Sequence, residues 1–261
     1  MMMTILTAPG PSAHLRRLLI RLAAHLLPRA CLLCGSACDD QPLCPFCQNA
    51  LPGQHAVRCR RCARPLASHD TSQTATTPRC CTACRQRPSV LSASYALADY
   101  RPPLDHVLTA LKFGQQPHLA NPLGRLLMAH CLAHPDAPLQ QVDALIPLPM
   151  SGPRLAERGF NQTLLLARAL RAHAPRDCPP LLTDCLQRRR HTPHQSGLTR
   201  HQRLQNLQNA FSVVRPDAVA GRRLALLDDV MTTGATLETA ARTLLDTGAS
   251  TVIALVVART P

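Results

Sequence analysis

The sequence predicts an α/β protein in which a parallel sheet flanked by helices follows a small N-terminal module held together by metal. Three observations carry this. The apolar run Leu224–Leu227 does not alternate, reads as a strand buried on both faces, and leads through a polar turn into helical spacing. Val142–Pro149 (VDALIPLP) repeats that pattern, running into Met150-Ser151-Gly152-Pro153 and then a helix. Before both, four CxxC pairs stand in a segment too short and too polar to fold on an apolar core.

A chain of 261 residues has room for one ordinary domain and a smaller one. Apolar residues make up 46% and aromatics only 2%, so the core is built from Leu, Val and Ala. The formal charge of +14 suggests a polyanionic partner, nucleic acid or an acidic membrane surface. Two Zn²⁺ on eight thiolates bring it to about +10, still basic. Thirteen cysteines, mostly in CxxC pairs and without a convincing signal peptide, favour metal in a reducing compartment over disulfides. No apolar run reaches the roughly 18 residues of a membrane span. The expectation is a soluble, cytoplasmic protein, not an integral membrane one.

Residues 1–13 carry no structural signal, and the three leading methionines leave the start open. His14–Leu27 is amphipathic, with Leu15, Leu18, Leu19, Leu22 and Leu26 on one face, and Arg21 interrupts any signal-peptide core. The Leu stripe packs on its own protein or docks on a membrane surface or partner. Pro28 ends it. The expected domains are a tail and helix over 1–27, a double zinc ribbon over 28–88, and an α/β domain over 89–261.

Cys31/Cys34, Cys44/Cys47, Cys59/Cys62 and Cys81/Cys84 are the four pairs. A CxxC turn aims two thiolates at one tetrahedral centre, so two turns complete a four-cysteine site and four give two structural Zn²⁺. Spacing allows sequential or interleaved pairing, and an iron–sulfur cluster is the chemical rival. Cys81 rather than Cys80 restores the spacing to Cys84, and Cys38 is spare. Arg58, Arg60, Arg61, Arg64, Arg79, Arg85 and Arg87 suit phosphate contacts or form a solvated surface that balances the thiolates.

Residues 65–79 read as a loop. From Ser89, VLSASYALADY alternates partially, as in strands, until Pro102-Pro103. Leu104–Leu111 forms a helix that ends at Lys112-Phe113-Gly114, and Lys112, the only lysine, is either a phosphate ligand or a solvent-facing helix end. A helix covers about Leu119–Leu132. Another spans Leu155–Arg171, with Arg154, Arg158, Asn161 and Gln162 clustered near its start. Ligands of an open α/β sheet sit off the carboxyl ends of strands, so this loop faces the later turn and suits a diphosphate. Leu186–Phe211 is a basic loop and helix or a cover over polyphosphate. Thr251–Val257 closes the sheet. Cys131, Cys178 and Cys185 are isolated structural thiols.

The decisive stretch is LALLDDVMTTGATLETAARTLL, Leu224–Leu245. Small residues let backbone N–H groups converge in front of a helix N-terminus, which cradles a phosphate, and Thr232, Thr233 and Thr236 add hydroxyls. Asp228 and Asp229 suit vicinal ribose hydroxyls. Together they describe a sugar phosphate with free hydroxyls.

This stretch resembles the 5-phosphoribosyl 1-diphosphate (PRPP) signature of the type I phosphoribosyltransferases. With CLLCG at 31–35, LKFG at 111–114, IPLP at 146–149, RGFNQ at 158–162, TPHQ at 192–195 and the spacing of Arg200, Arg203 and Asn206, the chain resembles the ComF family over residues 28–261. Ala63 stands where a ribbon knuckle often has Gly. The resemblance implies a type I phosphoribosyltransferase-like domain behind a double zinc ribbon. It also implies a cytoplasmic role in handling single-stranded DNA during uptake, with the DNA-uptake machinery as partner. As an enzyme, the domain would bind Mg²⁺-PRPP. Asp228 and Asp229 would take the ribose, Thr232, Thr233, Gly234, Ala235 and Thr236 the 5-phosphate, and Met150, Ser151, Arg154, Arg158 and Lys112 the diphosphate. As a binding module, the same pocket would sense a phosphoribosyl group while the basic ribbon contacts DNA. No histidine stands out as a general base for an acceptor.

Overall fold

One CxxC turn and one short hairpin account for the first described segment of the computed structural model, which describes residues 29–38, 41–66, 79–189 and 210–261. The amphipathic stretch His14–Leu27, most of the 65–79 loop, and Thr192, Gln195, Leu198, Arg200, Arg203 and Asn206 of the basic run lie outside them. The chain divides into two units, residues up to Gln48 and Asn49–Pro261. In the first, β1 (Arg29–Ala30) pairs antiparallel with β2 (Ala37–Cys38) around a tight turn in which Gly35 N donates to Cys31 O at 2.9 Å. Gly35 takes a left-handed φ of 74°, open to glycine at little cost. Helix α1 (Pro45–Asn49) brings in Cys47.

In the second unit, α2 (Thr82–Gln86) carries Cys84 and leads to β3 (Ala93–Asp99). Next come α3 (Leu104–Phe113), α4 (Ala120–Ala133), β4 (Ala144–Pro147), α5 (Gly152–Arg158) and α6 (Gln162–Ala172). A hairpin of β5 (Leu186–Arg188) and β6 (Phe211–Val213) precedes β7 (Arg223–Met231), α7 (Ala235–Asp246) and β8 (Thr251–Arg259). The sheet order is β3-β8-β7-β4 and every pair is parallel. Ile146, Leu224, Leu226, Val252, Ala254 and Val256 join Leu237, Ala241 and Leu244 of α7 and Leu186 and Phe211 of the hairpin in one apolar cluster. The alternate residues Leu145, Ala225, Leu227, Ile253 and Leu255 are buried as well. They face α4 and α6, which pack on each other and against the strands. Gly124 permits that packing, since a Cβ there would sit 2.5 Å from the Cβ of Ala169.

Several elements differ from the sequence reading. β3 does not alternate but is buried throughout. Its outer side is covered by the second cysteine module, to which Ser94 N donates at Arg60 O (2.7 Å) and Asp99 N at Pro52 O (2.7 Å). The helix expected over Leu155–Arg171 is two helices. Gly159, at φ 79°, ends the first, and Asn161 Oδ1 caps the second by accepting from Thr163 N and Leu164 N. β7 continues past its apolar run through both acids to Met231. β8 extends to Arg259 and lies between β3 and β7, an interior strand where the sequence suggested a closing one. The two ends of the basic run pair as strands.

Candidate functional site

At the carboxyl end of β7 the strand holds two adjacent acids in different settings. Asp229 is 3% exposed, and its Oδ2 lies 3.0 Å from Lys112 Nζ at the end of α3. Asp228 Oδ1 accepts from Asp229 N at 2.8 Å and Thr163 Oγ1 at 3.3 Å. Burial first, then the charge of Asp229, holds the Asp228 carboxyl well above the usual carboxylate range. After Met231 the chain turns at Gly234 (φ 82°), and α7 starts at Ala235, so Ala235 and Thr236 belong to its first turn. That helix aims unpaired N–H groups and the positive end of its dipole at the turn. Thr233 Oγ1 accepts from Ala235 N at 3.3 Å.

The β4 and β7 strands are neighbours, and the loops that leave them line one cavity of about 420 Å³. From the residues expected at the site, the cavity wall takes Lys112, Met150, Arg154, Arg158, Asp228, Asp229 and Thr236. Thr232, Thr233 and Ala235 are exposed on the turn, and Ser151 is 1% exposed at the start of α5, outside the lining. Lys112 is a paired residue inside the cavity rather than a solvent-facing helix end.

Among the wall residues that the sequence reading did not name as ligands are Arg188, Thr163, Phe113 and Glu157. Arg188, at the end of β5, stands over the Phe211 ring at 5.5 Å, and its Nε is buried with no hydrogen-bond partner among the described residues. Burial, then the neighbouring Arg154, lowers its pKa. A desolvated guanidinium with an unmet donor is suited to an incoming anion. The signal was the first arginine of LQRRR, read only as part of a basic cover. Thr163 follows Gln162 on α6 and reaches Asp228. Phe113 is 71% exposed at the rim with the Arg158 guanidinium over its ring at 5.0 Å, while Arg158 Nη1 donates to Gln162 Oε1 at 2.6 Å. Glu157, exposed, is the remaining acid of the wall.

The cysteines form two four-sulfur clusters, Cys31/Cys34/Cys44/Cys47 and Cys59/Cys62/Cys81/Cys84, each with its ligand atoms within 4.8 Å of one another. Pairing is therefore sequential. Cys34 and Cys44 Sγ, and likewise Cys62 and Cys81 Sγ, lie 3.8 Å apart. Four sulfurs each about 2.3 Å from one tetrahedral Zn²⁺ are separated by about 3.8 Å, so both sets fit a structural zinc. None of the thirteen cysteines is in a disulfide, and Cys38 and Cys80 stand outside the clusters. Hydrogen bonding from Cys62 pulls Cys59 down to about 4 while Cys62 is pushed up, a crowding of thiolates that a divalent cation relieves. Ala63, in the Cys59–Cys62 knuckle, adopts φ 55° and is fully buried, so the methyl that strains the turn is packed in the core.

The arginines of the second module divide by role. Arg58 pairs with Asp99 at 2.8 Å, Arg61 donates to Ser89 O at 2.8 Å and Leu91 O, and Arg85 to Cys80 O and Thr82 Oγ1. Arg60, Arg64, Arg79 and Arg87 are exposed. No described helix is long and apolar enough to cross a membrane.

No family model matches the chain, whereas individual relatives match most of its length. It is 34% identical over 231 residues to DNA utilization protein YhgH of Shigella flexneri, covering 87% of this chain and 95% of that one. It is 32% identical to competence protein F of Haemophilus influenzae, covering 74% and 86% of the two chains. It is 28% identical to competence protein ComFC of Bacillus subtilis, covering 84% and 89%. The chain belongs to the ComF family.

Solved structures similar to this ComF-family chain include an allosteric regulatory enzyme of purine biosynthesis (19% identity, TM-score 0.34). Another is the glutamine PRPP amidotransferase of B. subtilis (17% identity, TM-score 0.33). They cover 54% of this chain, which spans 25% and 26% of theirs.

Proposed function

We propose that this ComF-family protein binds PRPP in the 420 Å³ cavity and transfers its phosphoribosyl group to an acceptor. The observation that carries the reading is the meeting of two acids with four cations, Lys112, Arg154, Arg158 and Arg188, beside the start of α7. That charge pattern suits a ligand with hydroxyls at one part and phosphates at the others. Asp228 and Asp229 accept from the ribose hydroxyls. Residues 232–236 take the 5-phosphate on converging N–H groups at the helix start. Met150, Arg154, Arg158, Arg188 and Lys112 surround the diphosphate, with Ser151 fixing the loop from its buried position. Mg²⁺ would be held beside Asp228 and Asp229 and would neutralise the departing diphosphate. The residues' work is to position C1 and to stabilise developing charge, which suits a wall with no histidine among its described residues.

The names of the relatives, DNA utilization protein and competence protein, support a role in DNA utilisation or natural transformation, and a place in the cytoplasm beside the DNA-uptake machinery is part of the same proposal. Arg60, Arg64, Arg79 and Arg87 are the exposed cations suited to single-stranded DNA. In a second reading the pocket senses a phosphoribosyl ligand without turnover. Among the described residues of the wall no acid stands beyond the pair and exposed Glu157 to serve as a general base, which favours it. Calorimetric titration of Mg²⁺-PRPP into zinc-loaded protein, beside the Asp228→Asn/Asp229→Asn variant, tests the site. Binding lost in the variant supports it, and no binding by folded wild type sinks it. Diphosphate release on adding candidate acceptors separates enzyme from sensor.

A further inference from the structure

Behind the Thr232–Thr236 turn lies a buried arginine that none of the proposed ligand contacts uses. Arg259, at the carboxyl end of β8, is 2% exposed. Strand register sets it beside Asp99 on β3 and Met231 on β7. A guanidinium taken out of water is costly unless its donors are met. Here Nε donates to Cys62 O at 2.7 Å, and Nη1 donates to Met231 O at 3.1 Å, to Thr232 O at 2.5 Å, and to Thr260 O. One planar group thus ties the Cys59–Cys62 knuckle to the first residue of the turn. Packing supports the same link, since Ala63 shares an apolar cluster with Met231 and Leu237. A second tie holds the module to the sheet edge: Arg58 pairs with Asp99 and donates to Gly53 O at 2.8 Å and Ala63 O at 3.0 Å.

We propose that Arg259 is a positioning residue that sets the Thr232–Thr236 turn against the second four-cysteine centre, so that zinc there and a phosphoribosyl ligand in the cavity bind cooperatively. This deepens the PRPP reading by giving that site a regulator. The metal fixes the knuckle backbone, and so the Cys62 carbonyl. Without it nothing holds the four sulfurs to one centre, the carbonyl leaves Arg259, and the same guanidinium no longer anchors the turn. Coupling between two binding equilibria is reciprocal, so the ligand tightens zinc by the factor that zinc tightens the ligand. Lysine cannot replace Arg259, because a single ammonium cannot span carbonyls on two segments as a planar fork does.

The test compares zinc-loaded wild type with Arg259→Lys. Zinc per chain, affinity for ribose 5-phosphate, and amide exchange at residues 232–236 are measured, with residues 144–147 as internal reference. The expected result is an unchanged zinc content and reference segment, faster exchange in the turn, and affinity about tenfold weaker, the size of ordinary site-to-site coupling. If the Lys variant does not fold, wild type decides. Chelator then strips the second centre with and without ribose 5-phosphate, followed by alkylation of Cys59, Cys62, Cys81 and Cys84. Ligand should slow that release, and stripped protein should show faster turn exchange. Turn exchange and affinity untouched by the variant, or by loss of the second zinc, would overturn the proposal. Wild type that binds no ribose 5-phosphate would sink the PRPP reading instead, and turn exchange alone would then judge Arg259.

Discussion

Lys112 Nζ meets Asp229 Oδ2 at 3.0 Å, so the only lysine of the chain joins the end of α3 to the acid pair of β7. Removing it leaves a carboxylate that is 3% exposed without its cation. Lys112→Met should cost about 2 kcal/mol, less than for a fully buried pair because the lysine side chain is partly exposed. Adding Asp229→Asn should restore most of the loss. Urea unfolding of the two single variants and the double variant measures this directly.

Asp228 makes the opposite case. Its folded pKa is raised, so the native state holds the proton more tightly than the unfolded chain. Its contribution is therefore favourable at acid pH and lost as pH rises through the folded value. Asp228→Asn should raise stability at neutral pH by about 1 kcal/mol, a common gain when a functional site is relieved. The gain should grow in thermal melts as pH rises above the range in which the unfolded carboxyl titrates, while affinity for PRPP falls.

How much of this could be seen beforehand depended on the range of the interactions. LALL before two acids, VDALIPLP before its turn, and eight cysteines at x₂ spacing are local signals, and the strands and the presence of two four-cysteine sites follow from them, whereas which pairs combine does not. Arg188 was hidden because its role comes from burial beside Phe211, which pairing across residues 190–209 brings about. The break after Arg158 hinges on Gly159 and the Asn161 cap, which helical periodicity runs straight through. The interior place of β8 depends on which strand pairs with which, and an apolar run carries no such information.

Two zinc ions per chain are expected by metal analysis. Cys84→Ser should reduce the count to about one by opening a four-ligand set. Cys38→Ser and Cys80→Ser should keep two, since neither thiol belongs to a cluster. A count unchanged in Cys84→Ser would refute the assignment of the second centre.

Gly53 sits at φ 68°, and a Cβ there would fall 2.5 Å from the Asp99 carboxylate. Gly53→Ala should cost about 2 kcal/mol, typical of forced overpacking, by prising Asp99 from Arg58. Chemical denaturation reads the loss, and Asp99→Ala in the same background should remove the clash while leaving the cost of a left-handed alanine.

The hydrogen bond from Arg259 to Cys62 also has a meaning for synthesis. The two residues are 197 positions apart, so the knuckle emerges from the ribosome long before its partner. A nascent chain can load zinc early, yet its turn stays unset until β8 has been made and has slid between β3 and β7. On the proposed reading, incomplete chains are thereby kept from holding a phosphoribosyl ligand, because the turn beside the cavity is anchored only by the strand translated last among those of its sheet.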